Sequence, residues 1–271
     1  KPRSKEIELF YRENGQFNVH AKYSQAQELV NKKMIRDNAL LLSTLAQFND
    51  PTAVSLIRWL GETQCLTEQD ETNIWKDALK HLDDPNMRKR IVSFSQFADL
   101  GIDDIEKVNN RLVSTHAQFD ENGDKAGNVS FPFEVNESEG TLKYFSFAYP
   151  IIHALDTGTR LIIDELGARL HPTLLDHIVG LFNNATTNPR NAQLIFTTHD
   201  TNLLSSHLFR RDQIWFTQKD IYGASRLFSL AEYKVRSNAP FERDYLLGKF
   251  GATPIIGNPN YALQSQGYEQ H

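Results

Sequence analysis

Thr159–Pro172 reads TRLIIDELGARLHP, and the short run inside it constrains the fold more than any other stretch. Leu161, Ile162 and Ile163 form an apolar run rich in β-branched residues, the composition of a buried strand. The run ends in two adjacent carboxylates, Asp164 and Glu165. Packing does not account for them, because ionised carboxylates are costly to bury unless they are paired or hold a metal. In an open parallel sheet the carboxyl ends of the strands border the ligand crevice. The chemistry that fits is nucleotide hydrolysis, with Asp164 holding Mg²⁺ directly or through water and Glu165 orienting and deprotonating a water. A strand running into an acidic helix start, where the dipole stabilises acids, fits the same residues.

Downstream residues weigh on that choice. Gln193–Thr198, QLIFTT, reads as a second buried strand and ends in His199-Asp200. Two such strands side by side bring Glu165 and His199 to one site, where His199 would hydrogen-bond a terminal phosphate or help orient the water. An HD-type metal phosphohydrolase needs further His and Asp ligands on neighbouring helices, whereas this pair follows a strand. Upstream, Glu137–Thr141 reads ESEGT and precedes a long amphipathic helix carrying Leu142, Phe145, Phe147, Ile151 and Leu155. A small Ser138 and Gly140 at a helix start leave backbone N–H groups open to a phosphate; Ser138 also reads as a plain N-cap.

The rest of the chain frames these motifs. Asn14-Gly15 between two alternating runs predicts an opening β-hairpin. From Ser24 to about His81 the apolar period is helical, and it continues from Pro85 to Leu100. Ile105–Phe119 and Val129–Phe133 predict two strands joined across Asp120–Asp124. That joint begins like a calcium loop, but Lys125 and Phe131 stand where such a loop needs its glycine and its bidentate glutamate, so a hairpin turn is expected. Pro172 opens another helix, strands follow at Gln213–Phe216 and Arg226–Ser229, a short helix near Phe241–Leu247, and a loop tail with Pro254, Gly257 and Pro259.

Composition excludes several classes. The 271 residues are 40% hydrophobic and carry a formal charge of -5, which suits one or two folded domains and gives no general footprint for nucleic acid. A local basic patch such as Arg210-Arg211 leaves contact with DNA or RNA open. The single cysteine, Cys65, excludes an internal disulfide and fits a reducing, cytoplasmic setting. No apolar run approaches the roughly 18–20 residues of a membrane span.

Taken together, LIIDE, ESEGT and TTHD resemble the ATP-binding-cassette class of ATPases, in the branch with SMC and RecF-like proteins, lysogenization-defect ATPases and bacterial AAA-15 defence ATPases. LIIDE resembles the Walker B strand with its catalytic glutamate, ESEGT a variant signature motif, Leu166–His171 the D-loop, and TTHD the segment bearing the switch histidine, His199. The AAA-15 type is the most similar, over about residues 134–254. The resemblance implies an α/β head with a parallel core sheet, flanking helices, antiparallel hairpins and a helical insertion. With the sequence patterns, it divides the chain into a hairpin over 1–23, a helical insertion over 24–104 that the resemblance covers poorly, an ATPase core over 105–257 and a tail over 258–271. It implies ATP and Mg²⁺ as cofactors, Glu165 and His199 as catalytic groups, and Asp164 as the metal ligand. Ser138, Gly140 and Thr141 would act in trans on nucleotide held by a second copy, in a homodimer or higher oligomer. The implied partner is a protein effector, a toxin or nuclease of antiphage defence; a non-hydrolysing scaffold and the ATPase portion of a lysogenization-defect nuclease are the alternatives. The family's phosphate loop, G-x-x-x-x-G-K-[ST], is missing from the 271 residues, and Gly248-Lys249 is the only Gly-Lys pair. Because that loop precedes the other motifs and the first residue is Lys1, it is expected on an upstream segment.

Overall fold

A computed structural model describes residues 6–67, 71–99, 101–204, 208–220, 222–235 and 239–253. The tail read over 258–271, with Pro254, Gly257, Pro259 and Leu100, lies outside them. The fold is mixed α/β. In chain order it runs through β1 (Phe10–Glu13), β2 (Gln16–Val19), α1 (Ser24–Asn31), α2 (Leu41–Gln47), α3 (Pro51–Gly61), β3 (Thr63–Leu66), α4 (Glu71–His81) and α5 (Pro85–Ser95). It continues through β4 (Ile102–Val108), β5 (Arg111–Phe119), β6 (Lys125–Pro132), α6 (Phe133–Asn136), α7 (Glu139–Thr157), β7 (Arg160–Ile163) and α8 (Pro172–Asn183). β8 (Gln193–Phe196), β9 (Trp215–Lys219), β10 (Ser225–Ser229) and α9 (Phe241–Leu246) complete it.

The central sheet is parallel, in the order β3-β7-β8, with Cys65, Ile162 and Ile195 in register across it. This corrects the reading of residues 24 to 81 as helix throughout. The four residues of β3 are too few to show an alternation, and their partner lies far along the chain. A second sheet, β4-β5-β6, is an antiparallel meander. Here the single strand expected over Ile105–Phe119 is two, split at Asn109-Asn110. Both asparagines have positive φ, 50° and 62°, the conformation of a tight hairpin turn that asparagine tolerates best among residues with a Cβ. The Asp120–Asp124 joint is a turn, as expected: the Asp120 carboxylate accepts from the N–H groups of Asn122 and Asp124, each at 2.9 Å.

α7 lies between the two sheets and is apolar on both sides, as a helix buried all round must be. Tyr144, Phe147, Ile151 and Ala154 pack with Leu161, Ile163 and Leu175 of the parallel layer. Phe145, Ala148 and Ile152 pack with Ile102, Ile105 and Leu112 of the meander and with Ile91 of α5. The β1–β2 hairpin packs on α1–α3 as a separate cluster around Leu29, Leu41 and Leu45. A further cluster gathers Phe216, Phe228 and Phe250 with Phe241 of α9. Among the described residues, no helix is long and apolar enough to cross a membrane.

Candidate functional site

The parallel sheet ends where the acids were expected. β7 stops at Ile163, and the chain turns sharply through Asp164–Leu170. Glu165 has φ 53° and Arg169 φ 65°, left-handed conformations that cost a residue with a Cβ about 1–3 kcal/mol. Strain of this kind persists only where the surroundings fix it, and here Thr197, just past β8, supplies the fixing groups. The Thr197 hydroxyl donates to Asp164 Oδ1 at 2.6 Å and accepts the Glu165 N–H at 2.8 Å. On the main chain, Thr197 N–H donates to Ile163 O and Leu166 N–H to Thr197 O. The turn also packs so closely that a Cβ at Gly167 would stand 2.9 Å from Thr198 Oγ1. Sequence reasoning gave Thr197 no role. The signal was available, a threonine just past an apolar strand beside an acid-ended one, but only strand pairing shows which acid it serves.

His199 and Glu165 do meet. His199 Nε2 lies 3.7 Å from Glu165 Oε1, an ion-pair distance when the imidazole is protonated. Both groups are open to solvent, the histidine side chain at 92% and the glutamate at 42%, so each can reach a substrate from outside. Asp200 is not part of this pair: its carboxylate accepts from the backbone N–H and the side-chain amide of Asn202, at 2.9 and 2.7 Å. That carboxylate is spent on a local turn.

Ser138 sits at the start of α7 as an N-cap, accepting from Thr141 N–H at 3.0 Å and sharing a hydroxyl–hydroxyl contact of 2.8 Å with Thr141 Oγ1. Gly140 reaches the acidic turn. A Cβ there would stand 3.2 Å from the Arg169 carbonyl oxygen, so the missing side chain lets the two turns touch. The ESEGT and Asp164–Leu170 segments are therefore neighbours, joined through Gly140 and Arg169. His171, which ends the second segment, caps α8 by accepting from Thr173 N–H at 3.2 Å. Gly248-Lys249 belongs elsewhere: Gly248 follows α9 at φ 72°, and Lys249 pairs with Asp244 at 2.6 Å.

For a magnesium ion, Asp164 is an exposed carboxylate with one oxygen oriented by Thr197. Mg²⁺ keeps several waters and takes one or two protein carboxylates plus phosphate oxygens, so this donor set fits it in a substrate-completed site. Among the described residues no three His, Cys, Asp or Glu side chains converge on a metal position.

An α/β protein with an acid pair at the carboxyl end of a central parallel strand and a histidine facing it from the next strand has the layout of a nucleotide-binding domain. The chain belongs to the AAA_21 family, "AAA domain, putative AbiEii toxin, Type IV TA system", whose model matches residues 12–205, well over half the chain. The match spans Ser138, Gly140, Thr141, Asp164, Glu165 and His199. No curated protein matches the sequence. A solved chain from "Structural biochemistry of ATP-driven dimerization and DNA stimulated activation of SMC ATPases" is similar at a TM-score of 0.41 and 11% identity, over 67% of this chain and 98% of that one. A likeness that loose fixes no residue correspondence.

Proposed function

We propose that the chain is the water-activating part of an ATP hydrolase that works between two copies. The carrying observation is the strained Glu165 at the end of the central strand with His199 3.7 Å away. Glu165 takes a proton from water as the water oxygen bonds to the γ-phosphorus; the bond from that phosphorus to the bridging oxygen breaks, and ADP leaves with the electron pair. His199 donates to the terminal phosphate and limits where the water can stand. Asp164 holds Mg²⁺, which when bound neutralises charge on the phosphate oxygens. Ser138, Gly140 and Thr141 of one copy face the nucleotide of the other in a homodimer or higher oligomer. The reading assigns the phosphate cradle to no residue here, because no G-x-x-x-x-G-K-[ST] run occurs in residues 1–271.

The hydrolysis cycle would then switch a protein effector, a toxin or nuclease, in cytoplasmic antiphage defence of the AAA-15 kind. The family's description names a putative toxin of a toxin–antitoxin system, which supports a place in such a system. A second reading, a cassette-like scaffold that never hydrolyses ATP, is favoured by one observation, the lack of a G-x-x-x-x-G-K-[ST] run in these residues.

Magnesium-dependent ATP hydrolysis, measured on this chain and on a version extended upstream, separates the two. The hydrolase reading expects turnover in the extended version and a loss of about 10²–10⁴-fold in Glu165→Gln. Absence of both hydrolysis and nucleotide binding in either version would leave the scaffold.

A further inference from the structure

Glu137, directly before the Ser138 cap, is a carboxylate that the hydrolysis reading does not use. Its side chain is 5% exposed and is held by two groups from β5: Ser114 Oγ donates to Glu137 Oε1 at 2.6 Å, and His116 Nε2 lies 2.7 Å from the same oxygen. His116 Nε2 and Ser114 Oγ are also 3.2 Å apart, so the three groups close on one another. Ser114 is fully buried, and the His116 ring meets Phe131 of β6 edge-on at 5.6 Å, which fixes the imidazole. A carboxylate removed from water is retained only where hydrogen bonds satisfy it, and such bonds are the strong, charge-assisted kind.

The location gives this cluster its meaning. Glu137 ends the segment that leaves α6, and the next residues are Ser138 and Gly140. On one side the clamp ties the turn to the meander; on the other, Gly140 rests on the Arg169 carbonyl of the acidic turn. The turn is thus pinned at both ends, between β5 and the segment that carries Glu165.

We propose that Glu137 is a positioning residue: clamped by Ser114 and His116, it sets the Ser138–Gly140 turn against the acidic turn and so couples the antiparallel meander to the catalytic end of the parallel sheet. The part of this that concerns catalysis rests on the hydrolase reading above; the placement of the turn does not. Glu137 touches no reacting atom in this scheme and acts through the backbone of residues 138–141.

Amide hydrogen exchange on the chain tests the placement without nucleotide. Thr141 N–H, bonded to Ser138 Oγ, and Leu142 N–H, bonded to Ser138 O, report the turn. In Glu137→Ala their exchange should accelerate about tenfold or more, while amides from Phe147 to Ala154 keep their rates, the signature of a local opening. Glu137→Gln, which keeps an acceptor oxygen for Ser114, should recover most of the protection. Unchanged Thr141 exchange, or an equal rise along all of α7, would overturn the clamp. In the extended, hydrolysing version, Glu137→Ala should raise the protein concentration needed for half-maximal turnover more than it lowers the rate at saturation. An equal loss in rate at every concentration would overturn the coupling. If Glu165→Gln leaves turnover intact, the hydrolase reading falls, and exchange still decides the clamp.

Discussion

Asp50, at the start of α3, and Glu165, at the end of β7, are both carboxylates at turns, and their surroundings differ in every respect that matters. Asp50 is 5% exposed; it accepts from Ala53 N–H at 2.8 Å and from the Tyr23 hydroxyl at 3.0 Å, with backbone angles ordinary for an N-cap. Glu165 keeps its side chain in solvent, and its backbone is held in the left-handed region by Thr197. In the first turn the carboxylate is spent on holding the fold. In the second the fold is spent on holding the carboxylate, whose oxygens stand in solvent where the proposed hydrolysis would use them. Glu137 follows the pattern of Asp50, although it stands one residue from the ESEGT turn. Proximity to a motif therefore does not by itself leave an acid free to act; what separates the two is how much of its hydrogen-bonding capacity the fold has already used.

The largest expected effect tests the structural side. Burial, and then the bond to Asp50, raise the Tyr23 hydroxyl from 10.0 to about 12. The folded chain holds that proton where the unfolded chain releases it, so the contribution is complete below about pH 10 and is lost as pH rises toward about 12. Urea melts across that window should show the decline, and Tyr23→Phe should lessen it, leaving the share that Tyr144 and Tyr149, also raised by burial, contribute. A decline of the same size in Tyr23→Phe would assign the loss to other groups.

Next in size is the cost of holding Glu165. Glu165→Gly relieves the left-handed backbone and should stabilise the chain by about 1 kcal/mol while ending hydrolysis in the extended version. Thermal melts give the answer, and a destabilised variant would mean that Glu165 resembles Asp50 after all. The smallest effect concerns a polar group that neither turn uses. Among the described residues Tyr144 Oη has no hydrogen-bond partner although it is buried, and burial raises its pKa. Tyr144→Phe should therefore be neutral or stabilising by up to about 1 kcal/mol, and a clear loss of stability would point to a bound water there.

Much of this was legible in the chain itself. The LIIDE and QLIFTT runs, the Asn14-Gly15 hairpin and the Ser138 cap each depend on residues within a few positions, so composition and period determine them. Even the meeting of Glu165 with His199 follows from two apolar runs pairing side by side, although β8, expected as a buried strand, lies at the edge of the sheet with Ile195 54% exposed. Tertiary structure decided the rest. β3 is four residues whose place is set by pairing with β7, and Arg160 of β7 donates to Thr63 Oγ1 across 97 positions at 3.0 Å. The bridging role of Thr197, the burial of Glu137 under Ser114 and His116, and the exposure of Leu56, Trp59 and Leu60 on α3 are likewise non-local. The physical reason is common to all of them. A local pattern fixes what an element is and which of its faces is apolar, whereas a hydrogen-bond partner or a covering surface comes from chain far away and exists only once the layers have packed.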